Sequence, residues 1–267
     1  MDDVLGYEGK HALVSGAASG MGEATATLLV ALGARVTALD VKPVEIAGIA
    51  ESRIIDLKDK SSIDAAIDGL EPVDALFSVA GLPGPPFSHF DVLMVNFIGA
   101  RHLMESLAPS MPAGSAIAAV ASTAALGWEK DYANLVDLIS TDGFDTAVEW
   151  VQANPGPLEA QSGYLYSKKM MNAWVAWRSP SLLADRGIRL NNTNPGPTQT
   201  PMMPAFEDYA GAELVNAFVG PSGRRSVPEE QAWPLLFLNS PRSSYVAGLA
   251  FQADAGFNAS QLSGWTG

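Results

Sequence analysis

The chain has no cysteine in 267 residues, which excludes disulfides, thiolate metal sites and cysteine nucleophiles. Histidine is nearly as scarce: His11, His89 and His102 lie far apart, without the spacing of a metal site, so structural roles and no bound metal are expected. Basic residues number 16 against 29 acidic ones, for a net charge of -13. No Lys/Arg stripe offers the footprint that a phosphate backbone needs, so nucleic acid is not an expected partner, and the acidic surface chiefly favours solubility. No apolar run approaches the length of a membrane span. The stretch Met1 to Lys10 has neither the basic start nor the apolar core of a signal peptide. These absences predict a soluble, cytoplasmic protein without a membrane partner.

What is present is a compact α/β composition, with 48% hydrophobic residues, 17% charged residues and 25 glycines. Short apolar or β-branched runs alternate with longer helical patterns, the signature of a parallel sheet wound with helices. Strands are predicted at His11 to Val14, Ala34 to Leu39, Arg53 to Ile55, Ala75 to Val79, Ala116 to Val120, Arg189 to Thr193 and Leu249 to Gln252. Helices are predicted at Glu23 to Leu32, Ser61 to Leu70, Phe90 to Ala108, Gly163 to Ala184 and Glu229 to Leu238. Val41 to Ser52, broken by Pro43 and Gly48, reads as an abbreviated connection. No repeat or low-complexity linker interrupts this order, so residues 1–267 are expected to form one Rossmann-type, doubly wound domain.

Between the first strand and the first helix, Gly16, Gly20 and Gly22 form a G-x-x-x-G-x-G turn. Absent side chains there let backbone N–H groups and the helix amino end approach a pyrophosphate. The bland alternative is a turn that packs helix on sheet. Asp40 closes the second strand about twenty residues on, where a carboxylate suits an adenosine ribose 2′-hydroxyl and repels a 2′-phosphate. That argues for NAD over NADP. Ser19 adds no positive charge, whereas Lys42 keeps an NADP reading open, and Asp40 could instead begin a surface turn.

Tyr164 and Lys168 stand four residues apart, which puts a phenol and an ammonium on one helix face. A free phenol has a pKa of about 10, and a fixed positive charge beside it favours the phenolate. Tyr166 lacks such a partner, because Met170 lies four residues on. The spacing by itself also fits an ordinary solvated helix face.

Taken in order, the glycine turn, Asp56-Leu57, Ala80-Gly81, Asn96, Ser122, Tyr164 with Lys168, and Pro195-Gly196 with Thr200 resemble the short-chain dehydrogenase/reductases. The resemblance covers nearly the whole chain, down to Ala253-Asp254-Ala-Gly256. It implies NAD-dependent hydride transfer between nicotinamide and a secondary alcohol or ketone. Ser122 would hold the substrate oxygen, with Thr123 as the alternative hydroxyl. Tyr164 would exchange its proton, and Lys168 would bind the nicotinamide ribose and lower the tyrosine pKa. Asn96 would hold a water that relays protons from Lys168. The cofactor would contact Gly16, Ser19, Gly20, Met21 and Gly22, then Asp40. Asp56 and Leu57 would flank adenine, with Ala80 and Gly81 beside it, and Pro195, Gly196, Thr198 and Thr200 would reach the carboxamide and pyrophosphate.

Two departures stand out. Ser78-Val-Ala-Gly81 replaces the usual Asn-Asn-Ala-Gly, and Ser122 and Tyr164 are separated by far more chain than the family places there. The extra piece, about 128–162, shows two apolar patterns, Tyr132 to Ile139 and Phe144 to Val151, joined by Asp142-Gly143 and ended by Pro155-Gly-Pro157. It is expected over or beside the active site. With Gly223-Arg-Arg225, it is similar to the subgroup of bacterial 3-alpha-hydroxysteroid dehydrogenase/carbonyl reductases and coniferyl alcohol dehydrogenases, which implies a homodimer through 128–162. The substrate loop is expected at about 201–220, where methionines and aromatics suit an apolar or ring-bearing alcohol or ketone, steroid-like or aromatic; core or dimer packing is the alternative. An epimerase or dehydratase that returns NAD unchanged, and a silent NAD-binding protein, are the competing functions.

Overall fold

The computed structural model describes residues 3–265. Seven parallel strands, β1 (His11–Ser15), β2 (Arg35–Asp40), β3 (Glu51–Ile54), β4 (Ala75–Ser78), β5 (Ala116–Val120), β6 (Arg189–Pro195) and β7 (Ala250–Ala253), form one sheet in the order β3-β2-β1-β4-β5-β6-β7. The order reverses between β1 and β4, and a crevice opens there beyond the carboxyl ends of the strands. All seven predicted strands are found.

The sheet is covered on both faces, as parallel strands require. Side chains alternate across the pleat, so neighbours along one strand serve different cores. Leu13, Leu39, Leu76 and Ile117 face one core, while Val14, Val36, Phe77 and Ala118 face the other. On the second face lie α1 (Gly20–Ala31) and, later in the chain, α11 (Pro228–Asn239). The first face carries α2 (Lys60–Ile67), α3 (His89–Leu93), α4 (Ala100–Leu107), α5 (Trp128–Ile139), α6 (Gly143–Ala153), α7 (Gly156–Glu159) and α8 (Gly163–Arg186). Beyond β6 come α9 (Met203–Ala210) and α10 (Ala212–Ala217), and α12 (Phe257–Ser263) follows β7. Among the described residues no helix is long and apolar enough to cross a membrane.

Three elements differ from the sequence expectation. The helix predicted over Phe90 to Ala108 is interrupted by a π-helical turn, Met94–Gly99. A Cβ on Gly99 would sit 1.8 Å from the Leu57 carbonyl oxygen, so the glycine lets this turn press against the connection after β3. α6 ends just before Pro155-Gly-Pro157, as expected, but an additional short helix, α7, starts there with proline in its first turn, where a missing N–H costs nothing. The expected loop over 201–220 contains two helices, separated by Gly211 at φ 83°.

The insertion packs on the first face against α4 and α8. α5 and α6 turn Leu135, Leu138, Ile139, Phe144 and Val151 into the core on the first face, and Lys169 of α8 donates to Asp131 of α5. Arg101, buried in α4, holds the turn between α5 and α6. Its guanidinium donates to the carbonyls of Leu138 (3.3 Å) and Ile139 (3.3 Å) in the last turn of α5 and of Gly143 (2.6 Å) at the start of α6, so one side chain ties the two helix ends together.

Candidate active site

The glycine turn is shaped by contacts that exclude a side chain. A Cβ on Gly22 would lie 2.0 Å from the Gly16 carbonyl oxygen, and one on Gly16 would lie 2.6 Å from the Ala80 Cα. Gly20, at φ 60°, is held in a left-handed conformation, and a Cβ there would lie 3.2 Å from the Thr200 side chain. Ser19 stands at the N-cap of α1 without capping it through its side chain, so the amides of the first turn stay available to an anion. Asp40 ends β2 next to this turn and accepts from the Ala18 N–H at 3.0 Å and the Lys42 N–H at 3.1 Å. The cradle and its free amides fit a dinucleotide.

The reacting side chains come from β5 and α8. β5 ends at Val120, and the Ser122 N–H donates to Asn194 Oδ1 (3.2 Å), while its hydroxyl accepts from the Ala124 N–H (3.1 Å). Ser162 caps α8 by accepting from the Leu165 N–H. Gly163 then passes the His89 carbonyl, where a Cβ would be 2.4 Å from the oxygen, and this close passage delivers Tyr164 to the crevice. Lys168, one turn on, is buried and donates to the Val120 carbonyl at 2.9 Å. Its Nζ lies 5.5 Å from the centre of the Tyr164 ring.

Burial lowers the Lys168 pKa to about 8 and raises that of Tyr164, with the Ser122 hydroxyl pulling the phenol back down. Desolvation is the largest influence on the phenol, while Lys168 donates one bond to Val120 and stays beside the Tyr164 ring. Asn96 sits in the π-helical turn with both N–H groups of its side chain engaged and one acceptor position of Oδ1 left over. It accepts from the Leu82 N–H (2.7 Å) and donates to the Leu82 carbonyl (3.0 Å) and to Ser167 Oγ (3.2 Å). That reciprocal pair holds the segment after Gly81, which passes between Asn96 and Lys168.

Ser122, Tyr164 and Lys168 open into one cavity of about 390 Å³. Met21, Gly81, Pro195, Gly196, Thr198 and Thr200 border the same cavity, so the glycine turn and the end of β6 converge on the acid/base pair. Its outer wall is apolar and comes from α9 and α10, chiefly Met203, Phe206, Leu214 and Val215. Phe206 meets the Tyr164 ring edge-on, with centroids 4.9 Å apart at 76°. Of the insertion 128–162, Ser162 alone lines this cavity; α9 and α10 form its outer wall.

Other predicted residues are placed less directly. Asp56 lies in the turn after β3, where it accepts from the Lys58 N–H at 2.9 Å. The Leu57 side chain is buried in the core, which leaves only its backbone for an adenine. Tyr166 is a core residue, its pKa pushed up to about 12 by burial. Thr123 is buried beside Ser122 and also borders the cavity. Phe206 is one of the aromatics expected in the 201–220 loop, whereas Asn194 and Arg101 were not singled out by the sequence reading. Of those two, Asn194 had a usable signal, a polar run Asn191-Asn-Thr-Asn194 inside a predicted strand, which demands buried partners.

Two family models match the chain: short chain dehydrogenase over residues 10–133 and Enoyl-(Acyl carrier protein) reductase over residues 157–258. The stretch between them holds the second half of α5 and all of α6. The 3-alpha-hydroxysteroid dehydrogenase/carbonyl reductase of Comamonas testosteroni is 32% identical, across 92% of this chain and 96% of that protein. The coniferyl-alcohol dehydrogenase of Pseudomonas sp. (strain HR199 / DSM 7063) is 28% identical, with the same coverage of 92% and 96%. Among solved structures, the 3-alpha-hydroxysteroid dehydrogenase from Pseudomonas sp. B-0831 complexed with NADH superposes with a TM-score of 0.79 at 25% identity, covering 97% of this chain and 100% of that one. A parallel sheet with a glycine turn at its switch point, an acid/base pair on α8 and relatives matched over nearly their full length lead to one conclusion: the chain belongs to the short chain dehydrogenase family.

Proposed function

We propose that the protein is an NAD-dependent dehydrogenase that oxidises an apolar, ring-bearing secondary alcohol to its ketone and catalyses the reverse reduction. The observation that carries this reading is the convergence of Ser122, Tyr164 and Lys168 on a cavity bounded by the glycine turn on one side and apolar side chains of α9 and α10 on the other. Bound nicotinamide supplies the acceptor or donor of a hydride. Ser122 holds the substrate oxygen by a hydrogen bond. In oxidation, Tyr164 removes the hydroxyl proton as the carbinol carbon gives up hydride; in reduction, it returns that proton to the carbonyl oxygen. Lys168 holds the nicotinamide ribose and keeps positive charge beneath the phenol. Asn96 braces the segment over Lys168 and orders a water for proton exchange.

Asp40 at the end of β2 supports NAD over NADP, with its carboxylate where a 2′-phosphate would be repelled. Two of the relatives are named for a hydroxysteroid or carbonyl and for coniferyl alcohol, which agrees with a ring-bearing substrate. The same reading places the enzyme in the cytoplasm as a homodimer through 128–162. Half-exposed Trp128, Tyr132 and Trp150 on α5 and α6 support that face. Exposed Trp233 and Phe237 on α11 offer a competing one. Light scattering on Trp150→Glu and Trp233→Glu separates them: the proposal expects only the first to give monomers.

The central experiment follows absorbance at the reduced-nicotinamide band while hydroxysteroids, aromatic alcohols and cyclic alcohols are offered with NAD and with NADP. Net reduction with a ring-bearing alcohol and NAD is expected. Cofactor binding without net reduction by any of them would refute the dehydrogenase reading and favour an epimerase, a dehydratase or a silent binder.

A further inference from the structure

α9 and α10 form the outer wall of the cavity, yet almost nothing apolar holds them down. Met203 is the only buried residue of α9, and α10 has none. Gly211, at φ 83°, breaks the chain between them. Segments with so little burial open easily unless polar contacts hold them.

One guanidinium supplies those contacts. Arg225 Nη2 donates to Glu207 Oε1 of α9 at 2.6 Å and to Asn216 Oδ1 of α10 at 2.7 Å, and its Nε donates to the same Asn216 oxygen at 3.0 Å. The Arg225 side chain is only 18% exposed, so these charge-assisted bonds are partly shielded from water. Its backbone is fixed from both sides. Arg224 points the opposite way, to Glu230 of α11. The Ser226 N–H donates to the Pro197 carbonyl at 3.0 Å, and the Ser226 carbonyl accepts from the Gln199 N–H at 2.9 Å.

Glu207 follows Phe206 directly, and successive helix residues point about 100° apart. Fixing Glu207 outward on Arg225 therefore sets the rotation of α9 that turns Phe206 onto Tyr164. We infer that Arg225 is a positioning residue that fixes α9 and α10 together, seats Phe206 against Tyr164 and so determines which alcohols fit. The inference rests on the dehydrogenase reading for its substrate, not for its geometry. A lysine would not substitute fully, since an ammonium is a point charge and lacks the planar fork that spans two helices.

The test compares wild type with Arg225→Ala, Arg225→Lys, Phe206→Ala and the Arg225→Ala/Phe206→Ala double variant. Chymotrypsin cleavage within 206–218 and the dissociation constant for NAD are measured on the first three proteins, and KM and kcat for a ring-bearing alcohol on all of them. Arg225→Ala is expected to be cut about tenfold faster and to raise KM about tenfold, with NAD affinity changed less than about threefold and Arg225→Lys intermediate. In the double variant the loss of Arg225 should add little to the KM of Phe206→Ala, because the two act through one contact. Wild-type cleavage rates in Arg225→Ala, or KM effects that multiply, would overturn the inference. If wild type turns over no alcohol, the functional reading fails alone, and the cleavage rates still decide the role of Arg225.

Discussion

Lys168 donates to the carbonyl of Val120 at 2.9 Å, two residues before Ser122. This bond ties the helix that carries Tyr164 to the strand that delivers Ser122, so the two side chains share one brace. It also leaves a buried ammonium without a carboxylate partner.

That ammonium has a measurable effect on stability. Burial lowers the folded-state pKa of Lys168 from 10.5 to about 8. Between those values the unfolded chain binds a proton that the native state does not, so wild-type stability should rise with pH from about 8 to 10.5, by roughly 3 kcal/mol from this group. Lys168→Met should lack that rise and should be about as stable as wild type at pH 7, because relief of the buried charge offsets the unpaired Val120 carbonyl. Urea midpoints at pH 7 and pH 10 test this; parallel pH profiles for the two proteins would contradict it.

Tyr164→Phe removes the proton carrier and keeps the ring that packs on Phe206. Turnover should fall by at least about a hundredfold, while NAD binding, followed by fluorescence titration, stays close to wild type. Retained turnover would reassign the acid/base role.

Gly22→Ala places a methyl group where the Gly16 carbonyl already stands. The turn must open to admit it, so NAD affinity should drop by at least about tenfold, with a stability loss of roughly 1–3 kcal/mol from the forced shift. Calorimetric titration with NAD and a thermal melt are sufficient; unchanged affinity would remove the turn from the cofactor site.

Asp40→Asn keeps the shape of the side chain and removes its charge. Discrimination against NADP should weaken by about tenfold in kcat/KM, chiefly through better use of NADP. An unaltered ratio would show that Asp40 does not face the ribose.

Arg101→Leu removes the guanidinium that donates to Leu138, Ile139 and Gly143, and of these only the Leu138 carbonyl keeps Thr141 as a donor outside the helices. A loss on the order of 3 kcal/mol is expected in urea unfolding. An unchanged midpoint would mean that the insertion is held by its apolar faces alone.

Much of this protein could be read locally. An unbroken apolar run such as Ala12 to Val14 or Ala75 to Phe77 marks a strand buried on both faces, because the pleat sends neighbours to opposite sides. Gly16, Gly20 and Gly22 mark a turn that tolerates no side chain, and Tyr164 and Lys168 share a helix face by geometry alone. The π-helical turn at Asn96 was not legible, since it depends on Leu57 arriving from another part of the chain.

The sequence by itself determined the strand order's raw material, the glycine turn and the spacing of the acid/base pair, because each is a matter of residues a few positions apart. Tertiary structure decided the rest: that α9 and α10 rather than the insertion cover the cavity, that Phe206 stands against Tyr164, and that Lys168 is desolvated. Those outcomes depend on which distant segments meet and how much water they exclude. Contact over long sequence separation and the local dielectric it creates are properties of the packed molecule, not of any short stretch of chain.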